Sequence, residues 1–405
     1  MKPIVRAGRM KPVHSDIRGP LFVEAMKRQK QGIDILKLNT GNPATFGFGL
    51  PDSIKNALME HMQDGVGYCD FKGMPQARQA ICDYETSKGI NGITSDDVFI
   101  GNGVSEVVSF ALTPLLNDGD EVLVPSPSYS LWGNSIYLEG GKPVFYTCDE
   151  KANWYPDIKD IRSKITDKTK SIVIINPNNP TGVLYPKELL LEIIQIARES
   201  GLLIFADEIY DRLVMDGKQH ISLASLTEDV PVITLNGLSK SHCLCGYRCG
   251  WMVISGPREL TEDYKQGIIQ LTSLRLCANT MAQIVIPAAL DDMETPASMV
   301  RPGGRIYEQR EATVRELEKI DGLSFVKNDA AFYVFPKLDV KKFNITNDKQ
   351  FAHDLLDATN ILLVPGSGFD WKDPDHFRIV MLPQADILSD AIRRMGTFLD
   401  GYKQK

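Results

Sequence analysis

No stretch of about 18 apolar residues occurs in the 405-residue chain, so the sequence offers no membrane-crossing helix. The opening residues MKPIVRAGRMKP are basic but lead into no apolar signal core, and a chain without an address is expected to stay in the cytoplasm. Excess positive charge is also missing. With 45 basic against 52 acidic residues the net charge is −7, which gives no global field for nucleic acid or an anionic membrane. Anionic ligands must therefore be held by local cations. The seven cysteines, at 69, 82, 148, 243, 245, 249 and 277, form no paired CxxC pattern. His242, Cys243, Cys245 and Cys249 lie close together, but their spacing fits no zinc motif, and we assign no metal. Reduced thiols in a cytosolic protein suit this usage better than disulfides. There is no internal repeat, no low-complexity tract, and no GxGxxG following a strand with an acidic residue about 20 positions on, which argues against a nicotinamide oxidoreductase.

Hydrophobic residues make up 43% and charged residues 24%, the mixture of a globular protein. The length exceeds what one core supports and predicts two domains. The apolar runs DVFIG (97–101), EVLVP (121–125), SIVIINP (171–177), LLIFADE (202–208), VITLNGL (232–238) and GWMVISG (250–256) read as buried parallel strands. Between two of them, KELLLEIIQIARES (187–200) places Leu189, Ile193, Ile196 and Ala197 on one helical face. The expected architecture is α/β: a large, doubly wound domain over 50–295 with a mainly parallel sheet. A smaller α+β domain follows over 296–405, with a charged helix near 303–320 and short strands at LSFV (323–326), AAFYVFP (330–336) and HFRIVML (376–382). Residues 1–49, dense in Pro and Gly, are expected to form an arm and part of the small domain.

Ligands of open α/β sheets sit beyond the carboxyl ends of the strands, so the polar residues after each run carry the information. After DVFI comes GNGVSE, where Gly101 and Gly103 precede an apolar helix whose first N–H groups could hold an anion; a plain capped turn explains the same residues. Asp207 ends LLIFA, where an ionised carboxylate needs a cation or several donors, unless it caps a helix or pairs at the surface. Tyr210 is near enough to share its ligand. Lys240 follows VITLNGLS; a lysine near its ordinary pKa of ~10.4 is a poor nucleophile, and partial burial with a neighbouring cation, for which Arg248 is the candidate, would lower that value, whereas a lone lysine in a loop reads by itself as a solvated surface charge.

The series NPNNPTG (176–182), DEIY (207–210) and Lys240-x5-Gly246-x-Arg248-x-Gly250, in this order, resembles class I/II aminotransferases of fold type I over almost the whole chain. Within them, DIRGPL (16–21), LNTGNP (38–43), GYCDFKG (67–73), NGLSK (236–240), LRLCAN (274–279) and FRIV (377–380) are most similar to the alanine transaminase branch. The resemblance implies pyridoxal 5'-phosphate as cofactor and a glutamate–pyruvate ping-pong transamination. Lys240 would bind the cofactor covalently and move the proton between the substrate α-carbon and cofactor C4′. Asp207 would pair with the pyridine nitrogen, Asn179 and Tyr210 would bond the ring hydroxyl, and Tyr129 would lie against the ring face, although a packed core tyrosine is its plain alternative. The phosphate would sit on the N–H groups of Val104 and Ser105 with Arg248 beside it, and Tyr68 would reach the phosphate of the neighbouring subunit in a homodimer. Many members carry a serine three residues before the lysine, where this chain has Gly237; Ser239 is the candidate substitute donor. Arg378 would form a fork for the substrate α-carboxylate, with the backbone at Gly41 close by, and Arg18 is the candidate for the distal carboxylate of glutamate. The same residues serve aminotransferases for valine, 2-aminobutyrate or aspartate, and carbon–sulfur β-lyases. A fold-sharing DNA-binding regulator would need an extra basic domain for which the chain has no room.

Overall fold

The computed structural model describes residues 2–405. Eight strands form the central sheet: β1 (Val98–Asn102), β2 (Glu121–Ser126), β3 (Lys142–Asp149), β4 (Tyr155–Pro156), β5 (Thr169–Ile175), β6 (Leu203–Asp207), β7 (Val232–Gly237) and β8 (Cys249–Ser255). They lie in the order β1-β8-β7-β6-β5-β2-β3-β4. The pairs β7–β6, β6–β5, β5–β2 and β2–β3 are parallel.

Both faces of this sheet are covered, which is why its strands are apolar without alternation. Ile172 and Ile174 of β5 and Ile204 and Ala206 of β6 pack on one side with Leu189, Leu190 and Ile193 of the helix Lys187–Ser200. The intervening Val173, Ile175 and Phe205 pack on the other side with Val107, Val108 and Ala111 of the helix Val104–Leu112, α1.

One expectation needs correction, and one strand lies outside the apolar runs. Strand β8 is antiparallel to both neighbours, although its composition reads as parallel. The connection 238–248 is too short for a crossover, which takes a dozen or more residues, so the chain must return as a hairpin-like turn. Strand β3 was also hidden, because it is only partly buried along its length and sits near the sheet edge, where the apolar signal is diluted.

The antiparallel insertion has a positional consequence. Gly237 at the end of β7 pairs with Gly250 of β8, which pairs with Gly101 of β1. The start of β8 is thereby brought level with the carboxyl ends of β1 and β7, and the residues around Gly103, Lys240 and Arg248 meet at one edge.

Beyond residue 300 the helices Arg305–Leu317, Asp348–Thr359 and Ala385–Asp400 surround a three-stranded antiparallel sheet of β9 (Tyr333–Val334), β10 (Val364–Pro365) and β11 (Phe377–Val380). Leu317, Phe351, Leu355, Ile379, Leu388 and Met395 share its core. The strands are shorter than the apolar runs suggest: LSFV contributes only Leu323–Ser324, paired with Lys337–Leu338. Leu36–Lys37 pairs in parallel with Ile361–Leu362, which ties the first fifty residues to this region. No helix among the described residues is long and apolar enough to cross a membrane.

Candidate active site

Asp207 ends β6 inside the fold, at 5% exposure. Its carboxyl accepts from the indole Nε1 of Trp132 at 3.1 Å and weakly from the backbone N–H of Ile209 at 3.4 Å. No lysine, arginine or histidine among the described residues forms an ion pair with it. Burial pushes its pKa up to about 6, against the two donors that favour the anion, with Glu208 adding to the rise. The cation expected opposite this acid is thus not supplied by the protein's own side chains.

Lys240 stands in the single helical turn Leu238–Ser241 directly after β7. Its half-buried amine donates to the carbonyl of Gly41 at 3.0 Å and lies 5.7 Å from the centre of the Phe332 ring. Burial disfavours its charge, yet its pKa lies above the ordinary lysine value, because the Coulombic influence of the neighbouring Tyr333, Cys245 and Tyr129 outweighs it. This corrects the expectation of a lowered value. The cation that opposes its charge is Arg378, not Arg248.

Arg378, on β11, is 1% exposed. Nη1 donates to Oδ1 of Asn179 at 2.9 Å, Nη2 to the carbonyl of Asn39, and Nε has no acceptor. The guanidinium lies between the rings of Tyr333, at 4.5 Å, and Phe369, at 4.6 Å. No carboxylate among the described residues pairs with it, and burial pulls its pKa below the usual arginine value. A charged fork held by neutral partners alone is a strong site for an incoming carboxylate.

Tyrosine 333 binds these groups together. Its hydroxyl accepts from that of Tyr210 at 2.9 Å, and a β-carbon on Gly41 would overlap it, so only glycine lets the 38–43 loop approach. Half-buried Tyr129 lies close enough to influence both Lys240 and Arg378.

A second corner lies at the start of α1. Gly103 caps this helix at φ 85°, a left-handed conformation that favours glycine, and the following N–H groups of Val104 and Ser105 belong to the unpaired first turn. A β-carbon on Gly103 would overlap the Arg248 guanidinium, and one on Gly250 would overlap the Val104 nitrogen. The exposed Arg248, itself at φ 57°, donates to the Cys245 carbonyl at 3.0 Å. Two amides and a guanidinium against a bare turn form a cradle suited to a phosphate.

Gly237 explains why a serine would not fit there: its β-carbon would come 2.6 Å from the Cys249 carbonyl. Ser239, one residue before Lys240, accepts the Cys245 thiol on its carbonyl at 2.9 Å. Tyr68 is 85% exposed and takes no part in this cluster. Arg18 is also exposed, and lines a cavity of 440 Å³ with Lys37, Thr40, Asn42 and Phe46. The Cys/His group diverges: Cys249 is in the core, the Cys245 thiol meets Ser239, and His242 meets Ser241 and the Asp292 carbonyl.

Trp132, Tyr333, Phe332 and the Asn39 carbonyl escaped the sequence reading. Trp132 had a signal, since it follows Tyr129 by three residues into a helical turn; Tyr333 had none, being one aromatic in an apolar run.

Residues 33–392 match the family model described as aminotransferase class I and II. The chain is 50% identical over 404 residues to a glutamate-pyruvate aminotransferase of Haemophilus influenzae, covering all of both chains. It is 45% identical to an alanine aminotransferase of Mycobacterium tuberculosis, covering all of this chain and 94% of that one. Among solved structures, an aminotransferase from Escherichia coli superposes with a TM-score of 0.98 at 47% identity over both full chains. An alanine aminotransferase from Pyrococcus furiosus gives 0.93 at 40% identity, over 98% of this chain and all of that one.

Proposed function

The chain belongs to the class I and class II aminotransferases, and from that membership we propose that it moves the amino group between L-alanine and 2-oxoglutarate, giving pyruvate and L-glutamate. Proteins of this family and fold depend on pyridoxal 5'-phosphate, and the residues present fit that group. The observation that carries the reading is Asp207, a buried acid at the end of β6 whose one side-chain donor is the Trp132 indole, with no cation among the described residues opposite it. A protonated ring nitrogen would complete it.

Lys240 would hold the cofactor covalently, Asp207 its ring nitrogen, Asn179 and Tyr210 its ring hydroxyl, and Tyr129 its ring face. Val104, Ser105, Ser239 and Arg248 would hold its phosphate. When bound, the cofactor supplies an electron-withdrawing ring that delocalises the charge left at the substrate α-carbon. Arg378, steadied by Asn179, receives the substrate α-carboxylate on its open edge, and the Gly41 backbone borders the same space. The substrate's own amino group would displace Lys240 from the cofactor, and the lysine amine so freed would take the α-proton and later return a proton on the same face. The rings of Phe332, Tyr333 and Phe369 exclude water from this exchange. The two half-reactions then alternate in ping-pong order.

The same reading divides the chain into an arm over 1–49, a cofactor domain over 50–295 and a smaller domain over 296–405, supported by one apolar core drawn from residues 99–268 and another drawn from Leu38 and residues 317–399, while Phe335, Val364 and Phe369 join a core of the larger domain. It also places the protein in the cytoplasm as a homodimer. Support for a second copy comes from Val66, Tyr68, Leu274 and Leu276, apolar side chains exposed at 77%, 85%, 82% and 53%. Tyr68 would reach the phosphate cradle of that copy.

Incubation with alanine and 2-oxoglutarate is expected to yield pyruvate and glutamate in equal amounts. Pyruvate with ammonia from cystathionine would identify a lyase instead. Lys240→Ala is expected to lower turnover by about two to four orders of magnitude, the worth of a positioned acid–base group, with unchanged circular dichroism.

A further inference from the structure

Arg275 ends the long helix Arg258–Arg275, is 12% exposed, and uses its guanidinium on two loops at once. Nη1 donates to Glu106 Oε2 at 2.6 Å. Nη2 donates to the carbonyls of Ile100, at 3.2 Å, and Phe71, at 3.1 Å. Glu106 stands in the first turn of α1 and accepts both the backbone N–H of Asn102, at 2.7 Å, and its Nδ2, at 2.9 Å. The carboxylate therefore pins the turn that presents the N–H groups of Val104 and Ser105. Left unpaired, its charge would repel an anion bound beside it; paired with Arg275, it shapes the turn without that penalty.

The other end of the fork holds the segment 67–73. Phe71 follows Tyr68 by three residues, and the Lys72 carbonyl accepts from Ile100 N–H at 2.7 Å, so this segment runs along β1. After Arg275 the chain turns sharply at Leu276, at φ 78°, and returns so that the Asn279 N–H donates to Asn102 Oδ1 at 2.9 Å. Asn102 is thus gripped from two sides, and Leu274 and Leu276 project to the exterior next to the junction.

We propose that Arg275 is a positioning residue that couples two phosphate sites: it shapes the cradle of its own subunit through Glu106 and fixes the loop that offers Tyr68 to the cradle of a second copy. The inference rests on the assignment of Val104, Ser105 and Tyr68 to phosphate made above. Loading one cradle tightens the Asn102–Gly103 turn and, through Glu106 and Arg275, favours the loop position that completes the other.

The test uses cofactor-free, full-length chain assembled into hybrid dimers in which one subunit carries Lys240→Ala, so that covalent loading reports the unaltered site. Adding Arg275→Met to the Lys240→Ala subunit is expected to weaken the unaltered site for pyridoxal 5'-phosphate about tenfold, the size of one charge-assisted hydrogen bond. Its affinity for pyridoxal, which has no phosphate, is expected to stay the same. Arg275→Lys keeps the charge beside Glu106 but lacks the planar fork that reaches both loops. It is expected to leave a subunit's own cradle near its original affinity and still to weaken the partner's. Equal affinities in the two hybrids, or equal losses for pyridoxal and its phosphate, overturn the coupling. A chain that sediments as a monomer defeats the underlying dimer reading instead, and the coupling with it.

Discussion

The indole nitrogen of Trp132 donates to Oδ2 of Asp207 at 3.1 Å, and it is the one side-chain donor this buried acid has among the described residues. An indole N–H is neutral at every accessible pH, so it lowers the acid's pKa without fixing its charge. No side chain among the described residues fixes the charge of Asp207.

The cofactor-free protein should therefore be destabilised by this acid as pH rises. Its folded pKa of about 6 lies above the ordinary carboxylate value, so its contribution is present below pH ~4 and is lost as pH rises through about 6. Asp207→Asn has no such term. Relative to that variant, the apoprotein is expected to lose on the order of 3 kcal/mol between pH 4 and 7, read from denaturant midpoints. Trp132→Phe should push the transition to higher pH and weaken cofactor binding; an unshifted transition would show that the indole does not govern the acid.

Gly103→Ala tests the cradle. A methyl there meets the Arg248 guanidinium and forces an L side chain into φ 85°. We expect about 1 kcal/mol of lost stability from the backbone alone, together with reduced affinity for pyridoxal 5'-phosphate but not for pyridoxal. Equal affinity loss for both compounds would assign the effect to general unfolding.

Arg378→Lys keeps a positive charge but replaces a planar fork with a single point of attachment. Asn179 and the Asn39 carbonyl then compete for one ammonium, and KM for alanine, pyruvate, glutamate and 2-oxoglutarate is expected to rise together, by roughly 10- to 100-fold. A rise confined to the dicarboxylic pair would move this arginine to the distal carboxylate.

Most of the candidate site at the strand ends is legible in the sequence, because each polar group directly follows an apolar strand and parallel strands align their ends. Asp207, Lys240 and the residues at 101–105 are placed by that rule alone. What escapes is whatever depends on long-range registry. Tyr333 comes from the C-terminal sheet and Asn39 from the first fifty residues, and neither has a local pattern marking it as a partner of Arg378. The antiparallel course of β8 was hidden for a related reason: composition reports burial on both faces, whereas direction is set by connection length. The departure at Gly237 was visible as a missing serine, but its cause, the Cys249 carbonyl 2.6 Å from any β-carbon, is a property of the strand pair.

The remaining prediction concerns how one pocket accepts both a methyl and a charged tail. Arg18 lines the 440 Å³ cavity beside Thr40 and Asn42, the residues flanking Gly41, so the cavity adjoins the loop that receives the Lys240 amine. Its guanidinium makes no hydrogen bond or ion pair among the described residues, whereas its root is fixed: the Ile17 carbonyl accepts from Asn39 Nδ2 at 2.8 Å, and Asn39 in turn accepts from Arg378. A cation on an anchored base but with a free head can swing toward a distal carboxylate and withdraw when alanine is bound. Lys37 lines the same cavity and is the competing cation. Arg18→Ala is expected to raise KM for glutamate and 2-oxoglutarate at least about tenfold more than for alanine and pyruvate, as loss of one charged hydrogen bond requires. The Lys37→Ala variant should leave that ratio unchanged. Equal losses for both substrate pairs in Arg18→Ala would remove the arginine from specificity, and a changed ratio in Lys37→Ala alone would transfer the role to the lysine.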